Sequence, residues 1–98
     1  MAKTSPFDAA DYLDSPEAIA DYLSVAFESG DDKLIARALG TVARIKGMTE
    51  VANDTGLSRE SLYRSLSAQG RPELATAMKV LDSLDMQLFV RPKEKSAA

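Results

Sequence analysis

The 98-residue chain has no cysteine, no histidine and no tryptophan. Without cysteine there is no disulfide, no thiolate nucleophile and no cysteine zinc site. Without histidine the commonest general base and the commonest metal ligand are missing together. No apolar run approaches the roughly 20 residues that a membrane span requires. The start, Met1-Ala2-Lys3-Thr4-Ser5-Pro6, lacks the apolar core of a secretory signal. A cytoplasmic protein, free of membrane, metal and cofactor, is the expectation. The 15 acidic side chains supply acids, but nothing in the sequence sets two of them around a recognisable pocket, so catalysis is not expected.

What is present points to one small folded unit spanning 1–98. Apolar residues make up 45% of the chain, enough for a core and against disorder. The net charge of −3 hides a gradient. Residues 1–32 hold one Lys against eight Asp and Glu, and residues 33–71 hold seven Lys and Arg against three Asp and Glu. Residues 72–98 are balanced at four against four. Fields are screened within about 8–10 Å in physiological salt, so an acidic head and a basic middle can serve partners of opposite charge.

The fold class expected is all-α, with five helices and one short C-terminal strand. An acidic segment, 1–14, precedes a helical core, 15–85. Ser15-Pro16-Glu17 opens the first helix with a capping hydroxyl, a proline at its first position and an acid near its positive end. Ile19, Tyr22, Leu23, Ala26 and Phe27 share a face, and Gly30 ends it. Asp31-Asp32 opens a second helix with Leu34, Ile35, Ala38, Leu39, Val42 and Ile45 on one stripe and Gly47 after it. Gly40 inside that stripe predicts close approach of a neighbour. Two short helices follow, about 49–55 and 59–67, then a longer one from Arg71-Pro72-Glu73 with Leu74, Met78, Leu81 and Leu84 on its apolar face.

Residues 86–91 alternate weakly and are β-friendly, and 92–98 form a polar tail. A lone strand needs a partner for its backbone groups. The N-terminal segment, a second copy or another protein can supply one, and a second copy is favoured. Met86, Leu88, Phe89 and Val90 are then the dimerisation residues. The alternative is an extended tail with Phe89 on the core.

The stretch from Thr49 to Leu66 carries the functional reading. A helix-turn-helix needs a small residue where its helices nearly touch, a turn residue tolerant of positive φ, and apolar anchors for the second helix. Ala52, Gly56 and the set Val51, Leu57, Leu62 and Leu66 fill these roles. Thr49 and Ser58 are placed to cap the two helices. With Leu62 and Leu66 inward, Arg59, Glu60, Ser61, Tyr63 and Arg64 turn outward. Arg reads guanine edges and Ser is permissive, while Thr49 and the backbone at Ser58 suit phosphates. The DNA-binding residues expected are Thr49, Ser58, Arg59, Ser61, Tyr63 and Arg64. The plainer alternatives are arginines that only solvate a face, a Tyr63 that only packs, and a Glu60 that only complements its helix end.

Several runs resemble addiction-module antidote proteins of the Cro/phage-repressor-like (Xre) helix-turn-helix class. They are Ser15-Pro16-Glu17-Ala18-Ile19-Ala20-Asp21-Tyr22-Leu23, Ala38-Leu39-Gly40 with Val42-Ala43-Arg44, Gly47-Met48-Thr49, Gly56 to Arg64, and Lys79-Val80-Leu81. The resemblance spans about residues 8–91. It implies a lambda-repressor-like fold, a dimeric repressor of its own operon, and a HigA-like antitoxin whose partner is a toxin of the RelE/ParE superfamily. Two positions depart from the pattern: Ser65 stands where related repressors often place an apolar residue, and Asp85 where the family often has Gly. A toxin that cleaves RNA must hold phosphates on a basic surface, so the acidic head is the expected toxin-binding region. Its candidates are Phe7, Asp8, Asp11, Tyr12, Leu13 and Asp14, with the alternative that Tyr12 and Leu13 pack on the first helix. A stand-alone Cro/phage-type repressor and a helical module without DNA binding are the competing functions.

Overall fold

Five helices follow one another in the computed structural model, which describes residues 12–67 and 69–94: α1 Pro16–Ser29, α2 Asp32–Lys46, α3 Met48–Thr55, α4 Arg59–Ser65 and α5 Leu74–Ser83. The first two open where their capping residues stand. Ser15 accepts the Ala18 N–H at 3.1 Å, and the Asp31 carboxylate accepts the Lys33 N–H at 3.0 Å. Gly30 closes α1 in the left-handed conformation, φ 70°, donating to the Phe27 carbonyl. Arg44 and Lys46 occupy the last turn of α2, where the helix end is negative.

The centre of the molecule is α2, which packs against each of the other four helices. Its Ala36, Ala38, Leu39, Val42 and Ala43 are buried, while Leu34 and Ile45 stand at the exposed edge of the stripe. Gly40 lies where α2 meets the end of α4. A Cβ there would collide with the backbone carbonyl oxygen of Leu66, so the expected close approach is real. Alanine at a helix interior is ordinarily better than glycine by about 1 kcal/mol. Overpacking against an atom that cannot swing aside costs roughly 1–3 kcal/mol. Gly40→Ala is therefore expected to lower the melting temperature, and a rise in thermal denaturation would reject this packing account.

Three sequence expectations change in the folded chain. The first concerns α5, which buries Ala77, Val80, Leu81 and Leu84 and leaves Leu74 and Met78 71% and 47% exposed. The alternative face wins because Ala77 lets α5 come close to α2 and α3, where Val80 is sealed completely. The second concerns Thr49, which sits inside α3 and does not cap it: Gly47 precedes the helix and no side chain caps it. The third concerns the strand at 86–91, which does not form: among the described residues 86–94 carry no ladder, since one chain offers its edge no partner. Nor does Phe89 reach the core; it is 74% exposed.

The departure at Asp85 is accommodated by the backbone. Asp85 takes the left-handed conformation, φ 58°, which glycine adopts more freely. Its N–H bonds the Asp82 carbonyl and the Met86 N–H bonds the Leu81 carbonyl, closing α5 with a Schellman pair. Met86 then packs half-buried on the core. At the other departure, Ser65 is half-buried and Leu66 takes the buried apolar role.

Candidate nucleic-acid interface

The turn between α3 and α4 is built from three local devices. Gly56 adopts φ 76° and donates to the Ala52 carbonyl at 2.9 Å, reversing the chain as only a residue without Cβ does freely. The Thr55 hydroxyl donates to the Val51 carbonyl at 2.8 Å and accepts the Leu57 N–H at 3.2 Å. The Ser58 hydroxyl accepts the Ser61 N–H at 3.0 Å, the cap its position predicts. A seven-residue helix has no stability of its own, so α4 depends on what it packs against. Leu62 and Leu66 supply that packing, both fully buried against the core that Val51 shares.

Pinning those two leucines turns the other side of α4 to solvent. Arg59, Glu60, Tyr63 and Arg64 are exposed together, with Ser58 at their edge and Ser61 half-buried. The Arg59 guanidinium lies over the Tyr63 ring, 5.9 Å from its centroid, an arrangement that positions both without using the arginine's hydrogen-bond donors. Arg64 approaches the Ser61 hydroxyl at 3.5 Å, too long to hold it firmly. Among the described residues no carboxylate lies within ion-pair distance of Arg59 or Arg64. Thr49 is exposed on the first turn of α3. The face thus offers two guanidinium forks without an acidic partner among the described residues, a phenol and hydroxyls, with Glu60, and Glu50 beside Thr49, repulsive toward an anion.

A polar clasp that the sequence did not reveal holds α3 in place. Asp54, near the end of α3, accepts a hydrogen bond from the Ser83 hydroxyl at 2.8 Å and pairs with the Lys46 ammonium at 3.2 Å. Lys46 also donates to the Ser83 carbonyl, so the ends of α2, α3 and α5 meet at one point. No periodicity marks these residues: Lys46, Asp54 and Ser83 lie on three elements, and only folding brings them together. The Ser83 bond first, then the Lys46 bond, and last the Lys46 charge hold the Asp54 carboxyl below the usual aspartate range, with desolvation acting against them. A depressed carboxylate stabilises the fold above its ordinary pKa and loses that contribution as pH falls through the lowered value. Below about pH 4 the wild-type melting temperature should therefore fall more steeply than that of Asp54→Asn. Parallel curves for the two proteins would remove the clasp from the stability of the fold.

The other expected sites are placed as follows. Phe7, Asp8 and Asp11 lie outside the described residues. Tyr12 and Asp14 are exposed, whereas Leu13 is a core residue. The groove beside it runs between Ile19 of α1 and Leu84 and Met86 beyond α5. Leu88, Phe89 and Val90 are exposed, and Arg91 fastens the tail to α1 through Glu28 at 3.0 Å. Among the described residues no cluster of acidic side chains is arranged to hold a metal, and no helix is long and apolar enough to cross a membrane.

The sequence model of a family described as "Probable addiction module antidote protein" matches residues 3–92. An uncharacterized protein of Haemophilus influenzae is 44% identical over 85 residues, covering 87% of this chain and 88% of the relative. No solved structure matches the chain.

Proposed function

This chain belongs to the probable addiction module antidote protein family, and from that premise we propose that it is the antitoxin of a toxin–antitoxin module and the repressor of its own operon. The α3–α4 unit acts as a helix-turn-helix of the Cro/phage-repressor (Xre) type, with α4 read into the major groove. The observation that carries the reading is the exposed face of α4, where Arg59 and Arg64 have no acidic partner among the described residues and stand beside Tyr63, while Leu62 and Leu66 are pinned in the core. Arginine forks left without a carboxylate partner suit guanine edges and phosphates. The partner is a small basic toxin, in our reading of the RelE/ParE superfamily, met by the acidic N-terminal third of the chain. The protein is a binder in the cytoplasm and not a catalyst.

Two measurements test this. The purified chain should shift a DNA fragment carrying its own promoter and leave an unrelated fragment of equal length unshifted at the same salt. Co-expressed with the neighbouring gene product, it should be captured with that protein and suppress its toxicity. DNA binding without a captured neighbour would leave a stand-alone repressor; capture without DNA binding would leave an interaction module.

Specific operator affinity also calls for two copies, because one domain of this size contacts too few base pairs. Leu88, Phe89 and Val90 of the tail and the outward Leu74 and Met78 of α5 supply apolar surface that one chain leaves open. Val90 is 95% exposed. Removing residues 88–98 keeps Met86 on the core and is expected to convert a dimer to a monomer by sedimentation. A dimer unchanged by the truncation would move the interface to the helices.

A further inference from the structure

Arg37 and Arg44 stand seven residues apart on α2, two turns of one face, with Gly40 between them. Gly40 is the point where α2 touches the end of α4, against the Leu66 carbonyl. The Arg44 guanidinium lies across that seam, 3.3 Å from where a Cβ on Gly40 would stand. Both arginines are exposed, and among the described residues no carboxylate is within ion-pair distance of either. The contrast with the other two arginines is informative: Arg71 and Arg91 each face an acid, at 4.0 and 3.0 Å. Among the described residues Arg37, Arg44, Arg59 and Arg64 do not, and they lie on the two helices joined where Gly40 meets Leu66.

We infer that Arg37 and Arg44 form a second line of attachment to DNA, gripping the phosphate backbone beside the groove that α4 enters. The inference rests on the DNA-binding function proposed above and adds residues that no recognition-helix pattern contains. Seven residues of helix separate the two by about 10 Å, so two extended guanidinium arms can reach separate phosphates of one strand. Their place beside α4 and not on it assigns them to backbone and not to base edges, so they contribute affinity and register without sequence preference. In the sequence they are indistinguishable from a solvated face of α2. What distinguishes them is the seam.

The test is the salt dependence of binding to the chain's own promoter fragment and to a random fragment. Removing one arginine–phosphate pair lowers the slope of log K against log salt by about 0.9. Arg37→Gln/Arg44→Gln, with helix propensity near that of arginine, should lower the slope by about 1–2 while the ratio of promoter to random affinity stays unchanged. The Lys pair at the same positions should keep most of the wild-type slope, since a phosphate accepts either cation. A folded Gln variant with the wild-type slope overturns the inference and leaves promoter recognition standing. A changed promoter-to-random ratio overturns the assignment to backbone. If the wild type fails to bind its promoter at any salt, the DNA-binding function falls and this inference with it.

Discussion

Alanine at both Arg59 and Arg64 is expected to weaken binding to the promoter by roughly 2–6 kcal/mol, at about 1–3 kcal/mol for each arginine that no longer reads a base. The size follows from what these side chains lack. Neither is paired with an acid among the described residues, so their donors are available to a ligand and their removal breaks no internal ion pair. Within the protein the substitution gives up the cation–π pairing of Arg59 with the Tyr63 ring, worth about 0.5–1 kcal/mol at an exposed site. The variant should therefore melt close to the wild type while its anisotropy titration against labelled promoter collapses. Binding to random DNA should fall much less. A folded double variant that binds the promoter like the wild type would show that α4 is not the reading helix. Equal weakening on promoter and random DNA would make the two arginines phosphate ligands and move specificity elsewhere.

The largest effect on stability is expected from Leu62→Ala. Leu62 has no exposed surface and is one of two leucines that hold a helix of only seven residues. Truncating a buried leucine costs about 2–5 kcal/mol, from forfeited transfer energy and the cavity left behind. In a domain of this size each kcal/mol moves the midpoint by about 4–8 °C, so a fall on the order of 10–30 °C is expected in thermal denaturation. The cavity would open between α4 and the core that α2 and α3 share, where Val51 and Leu39 are themselves sealed. DNA binding should fail with stability and return when the variant is assayed at lower temperature. A fall of only a few degrees would mean that Leu66 alone seats α4.

The clasp of Lys46, Asp54 and Ser83 bears on the same surface. By joining the ends of α2, α3 and α5 it fixes α3 against the scaffold, while the two leucines fix α4. The proposed recognition face is thus held from both sides by groups that do not belong to it. This separation explains why its arginines can remain uncommitted: the fold does not need them.

Much of this is legible in the sequence alone. Capping chemistry places the starts of α1, α2 and α4, because Ser15, Asp31 and Ser58 each bond a backbone N–H within three residues. Gly30 and Gly56 mark helix ends because a left-handed turn is nearly free only for glycine. The outward set on α4 follows from the spacing of Leu62 and Leu66. These are local facts, decided by covalent geometry and by hydrogen bonds that span a turn or less. Tertiary structure alone decided the rest. Which of two overlapping apolar faces α5 would bury depended on the small Ala77 meeting its neighbours. What Gly40 makes room for became visible only with Leu66 against it. Leu13 became core, and the strand at 86–91 stayed unformed, for the same reason: apolar surface and open backbone groups are settled by what comes to lie beside them, and that is a property of the packed chain, or of two chains, and not of a segment.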